Sequence, residues 1–427
     1  MKGAIVMEID YNARKALLQQ HIDHFWNTLL SDPEKQQAFL PYLDRGKALY
    51  GVLLKNDRFL ALAEPVTDET PLEVTQYYMR YDGVFCFLEG VFRDPENREI
   101  LCANPLRFPY DPRASRQLPY LSRKHEKLFG LEVKTTTFVT NDRGIKDYSA
   151  QLEEVRRITV NQQNSRNPIK KFFFHQQGVT QCPVFRRENF LFYFPAKRAL
   201  KYMLFIRKFE PVVRGTNWLL ENGPAKPFAS FGQMKLDDLG ATGSSSFGDE
   251  EDKDDYDVVF YGNQKKLNAI RSFLVEGTRH GVFKPMNTKI KHRIRVLNRE
   301  VVLECTGKPV LFCPFFILQP QTLNSLKHAL VIPRGELKYF EARVLEDSES
   351  MLSPSRAIIG DFENVYPRAT RPPDGSMLVL THGAARGELF EGSWISVRNA
   401  LIAEIHTVQG ESFPALISRG WYDVEVM

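Results

Sequence analysis

In NARKALLQQHIDHFWNTLLSD the apolar residues Leu18, Ile22, Phe25, Trp26 and Leu29 recur every three or four positions, the spacing that keeps them on one side of a helix. Asp32 followed by Pro33 predicts a second helix directly behind the first. An acid there accepts free N–H groups of the first turn, and proline at the first helical position forfeits no bond. From residue 50 the pattern shortens to strands. GVLLKNDRFLALAE reads as a hairpin turning at Lys55-Asn56-Asp57, and GVFCFLEGVFRDPENREILCANPL as another turning at DPEN. GLEVKTTTFV reads as a β-branched strand, and DYSAQLEEVRRITV as a helix capped by Asp147, with Tyr148, Leu152 and Val155 on one side.

Residues 168–214 interleave aromatics with cations and read as several strands plus a short helix near 196–204. Most of their phenylalanines are expected in the core. Between 236 and 257 hydrophobicity falls and Gly, Ser and acid rise, the composition of a mobile loop or linker. A helix follows in NQKKLNAIRSFLVEG, with Leu267, Ile270, Phe273 and Leu274 inward and Gly277 as its stop. Strand patterns then recur to the end: REVVLEC, KPVLFCPFFIL, ELKYFEARVLE, SMLVLTHG, SWISVRNALIAEI and FPALISRGWYDVEV. No repeat of fixed period is present. The expected fold is α+β: strand-dominated mixed or antiparallel sheets with an N-terminal helical segment. The expected organisation is a helical start plus β-hairpin domain at 1–160, an aromatic and basic strand-rich region at 161–235, the linker at 236–257, and a strand-rich C-terminal domain at 258–427.

Composition adds little to this outline. The 427 residues are 43% hydrophobic and 26% charged, an ordinary globular balance. Its 31 Phe and 16 Tyr favour strands. The five cysteines form no CxxC pair, and several sit in apolar runs such as GVFCFLEG, which points to free thiols and a reducing compartment. MKGAIVMEID has too short an apolar run for a signal peptide, and no stretch reaches the ~20 apolar residues of a membrane span. A cytoplasmic protein without membrane contact is expected.

Charge changes the picture more. DEEDKDDYD, residues 249–257, holds seven acids and one lysine, so the formal +5 of the chain leaves +11 on the remainder. Arg166 to Glu210 carries ten Lys or Arg against two acids, with eleven Phe or Tyr among them. Gly281 to Arg299 carries six Lys or Arg and no acid. Within it Lys289, Lys291, Arg293 and Arg295 alternate with Ile290, His292, Ile294 and Val296, which on a strand sets four cations in a row ~6.6 Å apart. Cations that track phosphates, with aromatics that stack on bases, suit a single-stranded nucleic acid. The expected contacts are Lys289, Lys291, Arg293, Arg295 and Arg299, together with Lys170, Lys171, Arg186, Arg187, Lys197, Arg198 and Lys201. The same pattern also describes an ordinary solvated strand face. The leading expectation is a non-catalytic binder of single-stranded RNA or DNA. It needs no cofactor or metal, and other protein subunits of a ribonucleoprotein or defence assembly are possible partners.

Two other classes compete. A metal-dependent nuclease needs an upstream acid and an E-x-K on a strand, which Asp111, Glu132 and Lys134 supply. E-x-K recurs at Glu251/Lys253 and Glu336/Lys338, so the motif is of low specificity. A structural component of a phage or secretion-type assembly would instead offer its aromatic strands to protein partners. His21 and His24, three apart on the first helix, could face one metal, but Phe25-Trp26 mark that helix as a packing element. G-x-S-x-G, GxxxxGK[ST] and the Rossmann fingerprint are all absent.

Overall fold

The computed structural model describes residues 10–110, 125–135, 139–140, 146–147, 167, 169, 184–196, 238–243, 255–285, 299–302, 309–320, 326–381, 386–387, 389–418 and 423–427. The fold is α+β and strand-dominated, with an N-terminal helical segment. Helix α1 (Tyr11–Ser31) and helix α2 (Pro33–Leu53) meet at Asp32, whose carboxylate accepts from Glu34 N and Lys35 N as the sequence predicts. The hairpin expected at Lys55-Asn56-Asp57 is not formed. Asn56 caps helix α3 (Asp57–Leu62) instead, accepting from Phe59 N, and Phe59, Leu60 and Leu62 join the core that holds Leu18, Ile22, Trp26 and Leu29. An Asn with a spare side-chain acceptor serves a cap as well as a turn, and burial of the apolar trio decides between them.

The first strands form the platform for everything that follows. They are β1 (Glu64–Pro65), β2 (Tyr77–Arg80), β3 (Phe85–Arg93), β4 (Glu99–Pro109), β5 (His125–Leu128) and β6 (Leu131–Thr135). Strands β3 and β4 are the expected hairpin, and Asp94 accepts from Glu96 N and Arg98 N to make its turn. Next come β7 (Val139–Thr140), β8 (Lys146–Asp147), β9 (Val184–Phe185) and β10 (Phe190–Phe194). Asp147 lies in a short strand opposite Val139, and the helix expected behind it, in residues 148–160, falls outside the described residues. Strand β10 enters between β1 and β2, and its Phe190, Phe192 and Phe194 are fully buried, as expected of core aromatics. At the β2–β3 turn Tyr81 packs against the rings of Phe25, Trp26, Phe39 and Tyr42, fastening the helices to the sheet.

A separate five-stranded sheet runs β11 (Leu239–Ala241), β12 (Asp255–Gly262), β15 (Pro309–Leu318), β14 (Arg299–Val302), β13 (Lys284–Pro285). Strand β11 falls inside the stretch read as a linker: Leu239 is buried and sits opposite Phe260, so three residues with little local strand signal are held by pairing to β12. Helix α4 (Gln264–Arg279) starts at Asn263 and buries Leu267, Ile270 and Leu274 as expected, but runs past Gly277 to Arg279. A Cβ at Gly277 would come 2.7 Å from the Phe283 ring, so the glycine permits a close approach, and the positive φ after the helix belongs to Gly281.

The last third closes on itself. Its strands are β16 (Ala329–Glu346), β17 (Ser355–Tyr366), β18 (Ser376–Leu380), β19 (Trp394–His406), β20 (Ser412–Ser418) and β21 (Val424–Val426). Strand β16 pairs β17, β17 pairs β18, β18 pairs β20 in parallel, β20 pairs β19, and β19 returns to pair β16. Three sequential antiparallel strands with the fourth beside the first make a Greek key, and the fifth completes a five-stranded barrel. Leu337, Phe340, Val344, Ile359, Phe362, Leu380, Val397 and Leu416 fill its interior. Its outer side at β18, β19 and β20 packs on β3 and β4 through Val379, Leu401, Ile405 and Ile417 against Phe92 and Ile100. A short parallel ladder, Ala329 opposite Phe92 and Leu330 opposite Arg93, joins the barrel to β3 within one sheet. Cys86, Cys102 and Cys313 are free and buried, and among the described residues no helix is long and apolar enough to cross a membrane.

Candidate nucleic-acid interface

Most of the cations expected to contact nucleic acid, Lys289, Lys291, Arg293, Arg295, Lys170, Lys171, Lys197, Arg198 and Lys201, lie outside the described residues. Arg299 is a position in β14 opposite Phe312. Arg186 is half-buried, and Arg187 is a clamp. Its Nε and Nη2 donate to the two carboxylate oxygens of Glu99 at 2.9 and 3.1 Å, while Nη1 donates to Thr67 O and Thr70 O, both at 2.7 Å. Every nitrogen of that guanidinium is engaged inside the fold, a bidentate arrangement that locks β4 to the 67–70 loop. Among the alternative nuclease residues, Glu132 is exposed and Lys134 shares its strand, β6. Tyr110 donates its N–H to Glu132 O at 2.8 Å, and the next residue, Asp111, lies outside the described residues. No three His, Cys, Asp or Glu gather at metal-binding distance among the described residues. The Glu336/Lys338 pair of the E-x-K type bonds to itself at 3.3 Å, and half-buried His21 sits within 3.2 Å of Leu191 O.

Glu99 also has His328 Nδ1 3.2 Å from its Oε2. Burial would raise its pKa, but the hydrogen bonds from His328 and Arg187 and the Arg187 charge outweigh burial and lower it from 4.5 to about 2. A carboxyl depressed on folding stabilises the native state above its unfolded value and loses that contribution as pH falls from ~4.5 through ~2. We expect wild type to exceed Glu99→Gln in urea stability by ~1–2 kcal/mol at pH 7, solvent screening of this partly exposed carboxylate taken into account, with the gap closing across that window. A gap that does not change between pH 7 and pH 2.5 would show that the carboxylate charge is not what Arg187 and His328 read.

Lys327, beside this network, lines a cleft with Leu72, Val91, Phe316, Leu318 and Leu352. Burial lowers its pKa, opposed by Glu73 and Glu99. The enclosed room is about 30 Å³, one water's share and far below the roughly 300–1,000 Å³ of a small-molecule chamber.

A different region has the open geometry. At the far end of β17, Phe362, Glu363, Asn364, Tyr366, Arg368 and Arg371 line a wide concavity of about 720 Å³. The chain bends here because Asp361 and Asn364 take positive φ of 51° and 48°, tolerable for these short polar side chains. Asp374 Oδ1 holds Asp361 N at 2.9 Å, and Asn364 Nδ2 donates to Glu341 Oε2 at 2.6 Å. Buried Phe362, 5.6 Å from Phe340 between ring centroids, is the floor. Tyr366 is 62% exposed. Arg368 begins a 3-10 turn (Arg368–Thr370) and Arg371 ends it, with prolines on both sides that stiffen the display. Neither arginine has an acid partner among the described residues. Sequence reasoning passed over this site, although YPRATRPP, an aromatic followed by two arginines among prolines, is the signal that could have found it.

No protein-family model, curated protein or solved structure matches this chain.

Proposed function

We propose that the protein binds single-stranded nucleic acid without cleaving it, in the cytoplasm, as a subunit of a larger ribonucleoprotein or defence assembly. The observation that carries this reading is an exposed Tyr366 on the same open concavity as Arg368 and Arg371, two arginines without acid partners among the described residues. A base stacked on Tyr366, with neighbouring phosphates on Arg368 and Arg371, uses the two interactions by which single strands are held. The barrel adds support by analogy of fold. Five-stranded Greek-key barrels of the OB type bind oligonucleotides or oligosaccharides on the face of their second and third strands and the loops after the first and fourth. Here the loop after the first barrel strand is closed, with Ser350, Met351, Leu352 and Ser353 buried, so the open surface has moved to the loop after the second.

The test is binding of a labelled single-stranded 20-mer, as RNA and as DNA, at two salt concentrations. Arg368→Glu with Arg371→Glu is expected to weaken binding and to reduce the salt slope by ~1.4, two phosphate contacts at ~0.7 each. Tyr366→Ala is expected to cost ~1–3 kcal/mol of affinity with the slope unchanged. Lys289, Lys291, Arg293 and Arg295, charge-reversed together, test the row that the sequence singles out. Absence of binding by wild type at low salt, or salt-independent binding of an oligosaccharide in its place, would sink the proposal.

A further inference from the structure

The concavity holds one group that a purely electrostatic grip on phosphate would not include. Glu363 is exposed and lines the same concavity as Tyr366, Arg368 and Arg371. Glu341, opposite Glu363 on β16, and the nearby acids in sequence, Asp361 and Asp374, are each engaged. Glu341 accepts from Tyr339 Oη at 2.5 Å and from Asn364 Nδ2, Asp374 accepts from Asp361 N, and Asp361 pairs with Arg343 Nη1 at 3.9 Å. Glu363 accepts from no described residue.

Resting on the single-strand reading, we propose that the concavity selects guanine: an unpaired guanine stacks on Tyr366 and donates its N1–H and N2 amine to the Glu363 carboxylate. A carboxylate is acceptor-only, with two oxygens that match two neighbouring donors. On the Watson–Crick edge, the edge read in unpaired bases, only guanine offers two adjacent donors. Adenine offers its N6 amine beside the N1 lone pair, cytosine its N4 amine beside the N3 lone pair, and uracil one N–H between two carbonyls. Each of these sets an acceptor against the carboxylate. Arg368 and Arg371 hold the flanking phosphates whatever the base, so affinity and selectivity reside in different side chains.

The experiment measures equilibrium binding of the full-length protein to oligouridine heptamers that carry one central guanine, adenine, inosine or 2-aminopurine. Guanine is expected to bind about 5- to 150-fold tighter than adenine, the range for a good bidentate base contact. Inosine keeps N1–H without the amine, and 2-aminopurine keeps the amine without N1–H; both should fall between. Glu363→Gln, a conservative change at an exposed position, should bring the guanine heptamer to the level of adenine and leave the adenine heptamer unchanged or tighter. Equal affinity for guanine and adenine, with binding still lost in Arg368→Glu/Arg371→Glu, would overturn guanine selection and leave single-strand binding standing. A guanine preference that survives Glu363→Gln would overturn the role of Glu363. No binding of any heptamer at low salt would remove both readings.

Discussion

Asp82→Ala is expected to destabilise the protein by ~3–5 kcal/mol, the cost of leaving a buried cation without its counter-charge. Arg80 Nε lies 3.3 Å from Asp82 Oδ1, and both side chains are only 2% exposed. Burial alone would lower the Arg80 pKa, and Asp82 with Tyr81 raises it instead. The remaining partners of Arg80 are weaker. Its guanidinium stands 4.7 Å from the Phe185 ring centre and 5.2 Å from that of Tyr81, contacts worth ~0.5–2 kcal/mol each. They do not replace an ionic partner. Nη1 of Arg80 and Oδ2 of Asp82 have no hydrogen-bond partner among the described residues, so the pair is poorly satisfied there even when intact. For that reason Arg80→Met/Asp82→Ala is expected to recover most of the loss, because removing both charges removes the desolvation cost with them. Urea unfolding of the two variants checks this. A loss below ~1 kcal/mol in Asp82→Ala would mean that Arg80 finds compensation from another group.

The second large effect lies in the barrel. Phe340→Ala is expected to cost ~3–5 kcal/mol, because Phe340 is fully buried among strands that close on each other and leave little freedom to fill the gap. The damage should reach the surface. Phe340 packs on Phe362, and Phe362 is among the residues that line the concavity with Tyr366 and the two arginines. Amide exchange should therefore accelerate in β17 and β18 before it does in α1 and α2, and oligonucleotide affinity should fall with it. Phe340→Leu, which keeps most of the volume, should restore both. Uniform loss of protection across the chain, without preference for β17 and β18, would show that the barrel has no independent local stability.

Local signals suffice where one element decides its own form. Asp32-Pro33 starts α2 because capping and proline chemistry act within four residues, and DPEN turns β3 into β4 because Asp94 reaches its own loop. Errors fall where a distant contact arbitrates. Asn56 had two local uses, and the core under Phe59 chose the helix; Gly277 resembled a stop until Phe283 came to lie on it. Barrel closure left no local trace. Strand β16 pairs β19 across the whole of β17 and β18, and β18 with β20 is a parallel pairing that no hairpin announces. Strand β17 carries no local signal either, since the first six positions of SRAIIGDFENVY are buried almost without alternation and the chain turns at Asp361. The site was harder still. Charge density points to Arg187, which the fold turns inward onto Glu99, whereas Arg368 and Arg371 are sparse in sequence and stand out only by exposure and by having no acid partner among the described residues.

All five barrel strands come from residues 329–418, whereas the strands they rest on, β3 and β4, are complete by residue 109. A ribosome makes the chain in that order, so the seat exists before its occupant is synthesised. Leu401, Ala403, Ile405, Ala415 and Ile417 then settle onto Phe92 and Ile100 as they emerge. A permuted gene that encoded the barrel first would leave the same five side chains in water while the remainder was translated, and aggregation during synthesis would be the expected phenotype.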